Sequence, residues 1–216
     1  MKLMRLAAAV VAANILATLA LYSKLPAQVP VHWGLHGPDR YGSPLELALL
    51  GPGVLVLLLL IGLFLRRADP LAKPIDAGAP AAEAGAWEAL ILSLIALFAL
   101  AHVMLMGQLA GYFHFGPRVA RLFFPALLLV CGNFLPRVRP SYFMGIRTPW
   151  TLASEAVWRR THRFAGKLLF FCGLACVCLL WLPEQAYLWC WLSLTLIGFL
   201  VPVAMSFVWW RAEQGA

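Results

Sequence analysis

The sequence predicts an all-α, polytopic membrane protein of six spans, and three observations carry that prediction. Hydrophobic residues make up 62% of the 216 residues and charged residues only 12%, with a mean hydropathy of +0.83. That is far from the balance of a soluble globular domain. About twenty apolar residues at 1.5 Å rise cross a hydrocarbon layer of about 30 Å, and six runs approach or reach that length. Finally, of the 17 Lys and Arg, all but Lys24, Arg40, Arg118 and Arg121 fall in segments that six spans would put on the side of the N-terminus. The positive-inside rule then orients the chain with both termini in the cytoplasm.

The first run, Leu3–Tyr22, follows Lys2 and Arg5. It is longer than a signal-peptide core and no small-x-small cleavage pattern closes it before Lys24, so it reads as a retained helix. The second, Leu45–Leu65, contains Gly51-Pro52-Gly53, a step that kinks a helix where membrane neighbours can take up the freed backbone groups. Ala89–Leu109 carries His102 near its middle, the one ionisable group so deep in a span, which makes it a functional candidate by default. Val119–Leu135 is the shortest run and has Arg121 and Pro125 near its start. Phe164–Leu182 and Ala186–Trp210 are joined only through Pro183-Glu184-Gln185, which forces an antiparallel hairpin. Asn14, Ser93, Gln108 and Asn133 are further polar exceptions, expected to face the bundle and bond across helices. Tyr22, Trp87, Trp181, Tyr187, Trp189, Trp209 and Trp210 fall at predicted boundaries and read as interfacial anchors.

Two loops interrupt this pattern. Ser23 to Pro44 is Gly- and Pro-rich and is expected to form a compact, turn-built loop outside the membrane. His32 and His36 lie four apart, but that spacing converges on a metal only on a helix, which Gly34 and Gly37 oppose. No third ligand is obvious, although Asp39 is near; a hydrogen-bonded loop histidine that meets an extracellular peptide is expected instead, and no metal or cofactor is. Residues 71–86, with Ala77-Gly78-Ala79-Pro80, read as a flexible cytoplasmic linker. They would divide an N-terminal two-helix unit (1–70) from a four-helix unit (87–216).

The loop 136–163 of the second unit is the densest polar and aromatic stretch. Thr148-Pro149 has the form of an N-cap and first helical residue, since Pro lacks a donor that would be orphaned there. A helix is expected to run from there through Glu155 and Arg159 into the fifth span, stacking Trp158, His162 and Gly166 on one face. Gly145 would let the backbone turn and bring Arg147 toward the bundle. The fork of Arg147 suits a carboxylate or phosphate group, while a snorkelling arginine at the interface is the plainer alternative. His162 could titrate or bind a phosphate beside Arg163, or bond a loop carbonyl at a helix end.

Pro140-Ser-Tyr-Phe-Met-Gly-Ile-Arg-Thr-Pro-Trp-Thr-Leu152, followed by Trp158 and Thr161-His162-Arg163, resembles the signature of the SdpI family of bacterial membrane immunity proteins. That signature reads Pro-Asn-x-x-x-Gly-Ile-Arg-Thr-Pro-Trp-Thr, and Ser141 stands here where the family usually has Asn. Leu25-Pro26, Val29-Pro30-Val31-His32-Trp33 and Gly37-Pro38-Asp39-Arg40-Tyr41-Gly42-Ser43 resemble the domain of unknown function often found at the N-terminus of the same proteins. There the spacing around Gly37 is one residue short, and Pro44 stands where a Lys is common.

The resemblance implies a protein of the bacterial plasma membrane that protects against a secreted toxic peptide met outside. It also implies signalling by holding a cytoplasmic transcriptional repressor at the membrane. Gly145, Arg147, Thr148, Pro149, Trp150, Thr151, Trp158, His162 and Arg163 would be the functional loop; His32, Gly37 and Asp39 the outer loop. Apart from the resemblance, the residues also admit a small-solute or lipid-handling transporter built around Arg147 and His102, or an enzyme using His162 as base. No sequence pattern of a known catalytic fold supports the enzyme, and the excess of basic residues reads as topology and lipid attraction rather than nucleic-acid binding.

Overall fold

The computed structural model describes residues 2–34, 37–71 and 85–215. The 71–86 linker and His36 therefore fall largely or wholly outside the described residues. The chain is helical apart from one small two-stranded sheet, and six helical segments are long and apolar enough to cross a membrane. They are Lys2–Tyr22, Pro44–Leu65, Ala86–Leu109, Arg118–Arg137, Glu155–Trp181 and Glu184–Gln214. Their number, length and apolar composition are those of a multi-pass membrane protein.

Contacts divide the chain into two compact units: Met1–Gly62 with Ile91–Phe123, and Leu63–Leu90 with Phe124–Ala216. In the first unit, α1 (Lys2–Tyr22), α2 (Pro44–Leu60) and α4 (Ala86–Leu109, from Ile91 on) pack around Gly62. A Cβ there would lie 2.7 Å from Ile91 Cγ2 and 3.0 Å from Met4 Sδ, so the missing side chain lets the three helices close. α2 does not stop at Leu60. It continues as a π-helical turn, Ile61–Leu65, and a last short helix α3, Arg66–Ala68. Single π turns of this kind recur at functional sites.

The polar residues of these spans behave as cross-helix fasteners. His102 Nδ1 lies 3.1 Å from Asn14 Oδ1, and Asn14 Nδ2 donates to the Ala99 carbonyl at 3.1 Å. The His102 ring fills the space above Gly51, where any Cβ would collide with it. Thus the flexible Gly-Pro-Gly step also accommodates the histidine.

The loop after α1 is a β-hairpin, β1 (Val29–Gly34) against β2 (Gly37–Gly42). A turn-built loop is what the Gly and Pro content predicted; the ladder arises because Val29, Val31 and Trp33 alternate in strand fashion. Val29 is fully buried and plugs into Leu47 and Met106, anchoring the hairpin on the bundle. Two irregularities in register, between Pro30 and His32 and between His32 and Trp33, accommodate the proline, which has no N–H for the ladder. The hairpin leads directly into α2 through Ser43, whose hydroxyl accepts from Glu46 N–H as an N-cap.

The second unit holds α6 (Phe123–Phe134), α7 (Pro149–Ala153), α8 (Glu155–Cys178) and α9 (Glu184–Gln214); the short α5 (Pro117–Arg121) belongs to the first. α6 and α8 cross almost backbone to backbone. A Cβ on Gly132 would lie 2.6 Å from Phe170 N, and one on Gly166 would lie 2.8 Å from Gly132 O. Close approach through small residues is how membrane helices gain contact when no hydrophobic force drives them together. Leu128, Leu169, Cys172 and Cys176 form the buried cluster beside this crossing, so these cysteines serve as packing groups.

Two placements differ from expectation. Tyr187 is not an interfacial anchor but 1% exposed, inside the unit near the turn that joins α8 and α9. Asn133 does not face the bundle: it is exposed and accepts from Arg137 Nη2 at 3.3 Å, one turn along its own helix end. Near a helix terminus a polar side chain can reach a snorkelling arginine, so no cross-helix partner is required.

Candidate functional site

The loop from Arg137 to Thr148 is irregular, and its shape is set by a series of specific hydrogen bonds. Its organiser is Asp69, which follows α3 directly and is itself 9% exposed. Its carboxylate accepts from Leu71 N (2.9 Å), from Tyr142 N (3.2 Å to each oxygen) and from the Ser141 hydroxyl. Ser141 Oγ in turn accepts from Phe143 N and Met144 N, both at 3.1 Å. Hydrogen bonds to an ionised acceptor are about twice as strong as neutral ones, so this carboxylate fixes the first turn of the loop. Ser141, at the position where Asn is usual in the resembling signature, closes a side-chain turn of its own.

Gly145 follows, with φ +100°. This is the left-handed region that L side chains avoid. A Cβ here would also run into the His162 ring and the Trp158 indole. The turn lays Ile146 N on His162 Nε2 at 3.0 Å, while His162 Nδ1 faces the Trp158 carbonyl at 2.8 Å. A carbonyl can only accept and an amide N–H can only donate. His162 therefore holds its proton on Nδ1 and accepts with Nε2. Both ring nitrogens are committed to the frame, leaving none for a base or a phosphate. Trp158, fully buried, stacks on His162 with centroids 3.9 Å apart and donates its indole N–H to Val138 O at 2.9 Å.

Beyond Arg147 the chain enters α7 with Thr148 as N-cap and Pro149 as first helical residue, as expected. Thr148 and Thr151 form a reciprocal capping box, and Thr151 Oγ1 also donates to Ile146 O at 2.8 Å. The helix does not run on into the fifth span. It breaks at Ser154, whose extended backbone (φ −132°, ψ 121°) and side chain N-cap a new helix, α8. Ser154 competes with the helical backbone for hydrogen bonds, and this makes it a poor interior residue and a good cap. Trp150 is carried by α7 against α9, where its indole N–H donates to Ser206 Oγ at 2.6 Å.

On this frame Arg147 stands apart. It is exposed rather than turned into the bundle, and its single hydrogen bond among the described residues is from one Nη to the Tyr142 carbonyl. The remaining donors of its fork are left to solvent or to a partner. The neighbouring Tyr142 and Phe143 side chains are also exposed, at 48% and 42%. Arg163 lies along α8, reaching the Arg159 carbonyl at 3.4 Å. Arg160 sits over the Trp209 ring at 4.6 Å, and Arg159 pairs with Glu155 at 2.8 Å, the i,i+4 spacing read from the sequence.

His32, Gly37 and Asp39 are placed in the hairpin of the other unit. His32 Nδ1 pairs with Asp39 Oδ1 across the strands at 2.5 Å, and Gly37 takes φ +106° at the turn. No group of three His, Cys, Asp or Glu side chains suited to a metal occurs among the described residues.

Residues 137–209, the segment built on this loop, match the SdpI/YfhL protein family. That segment is about a third of the chain. Residues 9–56, which contain the hairpin, match a domain of unknown function, DUF1648. Across 211 residues the chain is 22% identical to the Immunity protein SdpI of Bacillus subtilis (strain 168), covering 96% of this chain and 95% of that protein. No solved structure matches. The SdpI resemblance read from the loop and from the hairpin is thus shown by matches at both ends of the chain.

Asp69 is the site residue that sequence reasoning missed. It lies far outside the signature, in the stretch after the second apolar run ends at Leu65. The available signal was its form: a lone acidic residue after Arg66-Arg67 and before Pro70, the pattern of a turn-initiating Asp-Pro.

Proposed function

We propose that this chain is a membrane immunity protein that confers resistance to a secreted toxic peptide. In this reading both termini and the signature loop face the cytoplasm, where a transcriptional repressor is the loop's partner, and the hairpin faces the peptide outside. Support comes from the name of the SdpI relative and from the distribution of Lys and Arg. The observation that carries a recognition role for the loop is Arg147. A guanidinium fork, exposed and largely uncommitted, is mounted on a loop held in shape by Asp69, Ser141, Thr151 and His162. No chemical step is proposed, because His162, the natural base, has both nitrogens occupied.

The test is expression in a toxin-sensitive bacterium, scoring survival against a panel of membrane-active peptides. The parent chain should raise survival against at least one peptide; protection against none would sink the immunity reading. Arg147→Lys keeps the charge and loses the planar fork. It should reduce protection about tenfold, the effect of losing one strong charge-assisted contact, with membrane insertion intact. Arg160→Lys keeps a cation over Trp209 and should leave protection unchanged. Equal protection by both variants would assign Arg147 to interface anchoring alone.

A further inference from the structure

Asp69 lies in neither matched segment, which span 9–56 and 137–209, yet its carboxylate gathers the start of the signature loop. The connection can be followed atom by atom. Asp69 receives the Tyr142 amide on both oxygens and the Ser141 hydroxyl on one. The carbonyl of that same Tyr142 receives the Arg147 guanidinium. The peptide units of one residue thus hold the carboxylate on one side and the arginine on the other. Asp69 itself is fixed to the end of the second span, where the π turn Ile61–Leu65 passes into α3. A buried carboxylate needs several donors to offset its desolvation, and every donor described here belongs either to the signature loop or to the chain just after Asp69.

We propose that Asp69 is a positioning residue for the signature loop: through Tyr142 it sets where the Arg147 fork points, and so ties the loop's presentation to the end of the second span. The functional part of this proposal rests on the immunity reading, whereas the positioning part does not. α2, the π turn and α3 are one continuous run from Pro44 to Ala68, and Asp69 follows directly on it.

The experiment uses the full chain in lipid nanodiscs, where both membrane faces are accessible, with trypsin cleavage after Arg147 followed by mass spectrometry. Asp69→Ala should speed cleavage at Arg147 roughly tenfold, as a loop that has lost its charged anchor opens more often. Cleavage after Arg211, remote in sequence, serves as the control and should not change. Asp69→Asn keeps an acceptor oxygen for the Tyr142 amide and should fall between the parent and the alanine variant. An unchanged Arg147 cleavage rate in Asp69→Ala would overturn the proposal. So would equal acceleration at Arg147 and Arg211, which would signal general unfolding. In the survival assay Asp69→Asn should recover part of the protection that Asp69→Ala loses. If the parent chain protects against no peptide, the immunity reading fails while the cleavage result still decides the positioning role.

Discussion

The protein has two polar loops that use the same backbone device for different ends. Both the hairpin and the signature loop turn on a glycine in the left-handed region, Gly37 at φ +106° and Gly145 at φ +100°. Around Gly37 there is nothing within 4 Å of where a Cβ would stand. Around Gly145 there are the His162 ring and the Trp158 indole. The hairpin's polar side-chain pairs are open to water: His32 with Asp39 at 63% and 52%, and Arg40 with Glu46 at 58% and 34%. The loop's hydrogen bonds end on buried groups, Asp69, Thr151, Trp158 and His162. A turn held by its own backbone and surface charges can be remodelled at little cost. One whose shape is dictated by buried partners is costly to remodel.

The largest expected effect is therefore at Gly145. Gly145→Ala adds the strain of a left-handed alanine, about 1–2 kcal/mol. It also forces apart the Ile146–His162 hydrogen bond, and leaving those buried groups unpaired costs a further 1–3 kcal/mol or so. Thermal unfolding of the detergent-purified protein should register the sum as a large drop in Tm, with protection lost. Gly37→Ala incurs only the backbone term, so its loss should be about 1–2 kcal/mol. If the two variants lose the same stability, the buried partners of Gly145 contribute nothing and the contrast between the loops collapses.

How far the sequence revealed each loop follows from the same contrast. In the signature loop, residues whose roles are local could be read directly. Thr148 and Pro149 cap α7 because hydroxyl and ring do this wherever the backbone starts a helix. Trp158, His162 and Gly166 share a face because 3.6 residues make a turn. What could not be read is long-range. Asp69 meets Tyr142 from 73 positions away, and nothing in local periodicity ranks that partner above any other. Nor did local reasoning see Ser154 break the expected continuous helix, since Ser is tolerated inside helices and its competing cap forms only when the chain must change direction. The exposure of Arg147 was missed for a similar reason. Gly145 turns the chain as expected, but the turn delivers the buried Ile146 inward and leaves the next side chain outside. In the hairpin the spacing of Gly and Pro announced a compact loop. The ladder depended on Val29 finding Leu47 and Met106.

The smallest expected effect lies in that hairpin and fixes the lower end of the comparison. Asp39 lies across Gly34, where a Cβ would stand 3.2 Å from its Cγ, so the glycine makes room for the carboxylate to reach His32. The pairing is close, but more than half of each side chain is open to water. Exposed pairs of this kind contribute only about 0–1 kcal/mol, because solvent already satisfies both groups and salt screens what remains. Asp39→Asn keeps the size and an acceptor oxygen and removes the charge. It should therefore shift Tm by no more than a few degrees. The hairpin should still be held by Val29, whose burial does not depend on the pair. A loss as large as that from Gly37→Ala, persisting at high salt, would mean that the His32–Asp39 contact anchors the hairpin. The hairpin would then be organised like the signature loop, by a specific carboxylate rather than by its backbone.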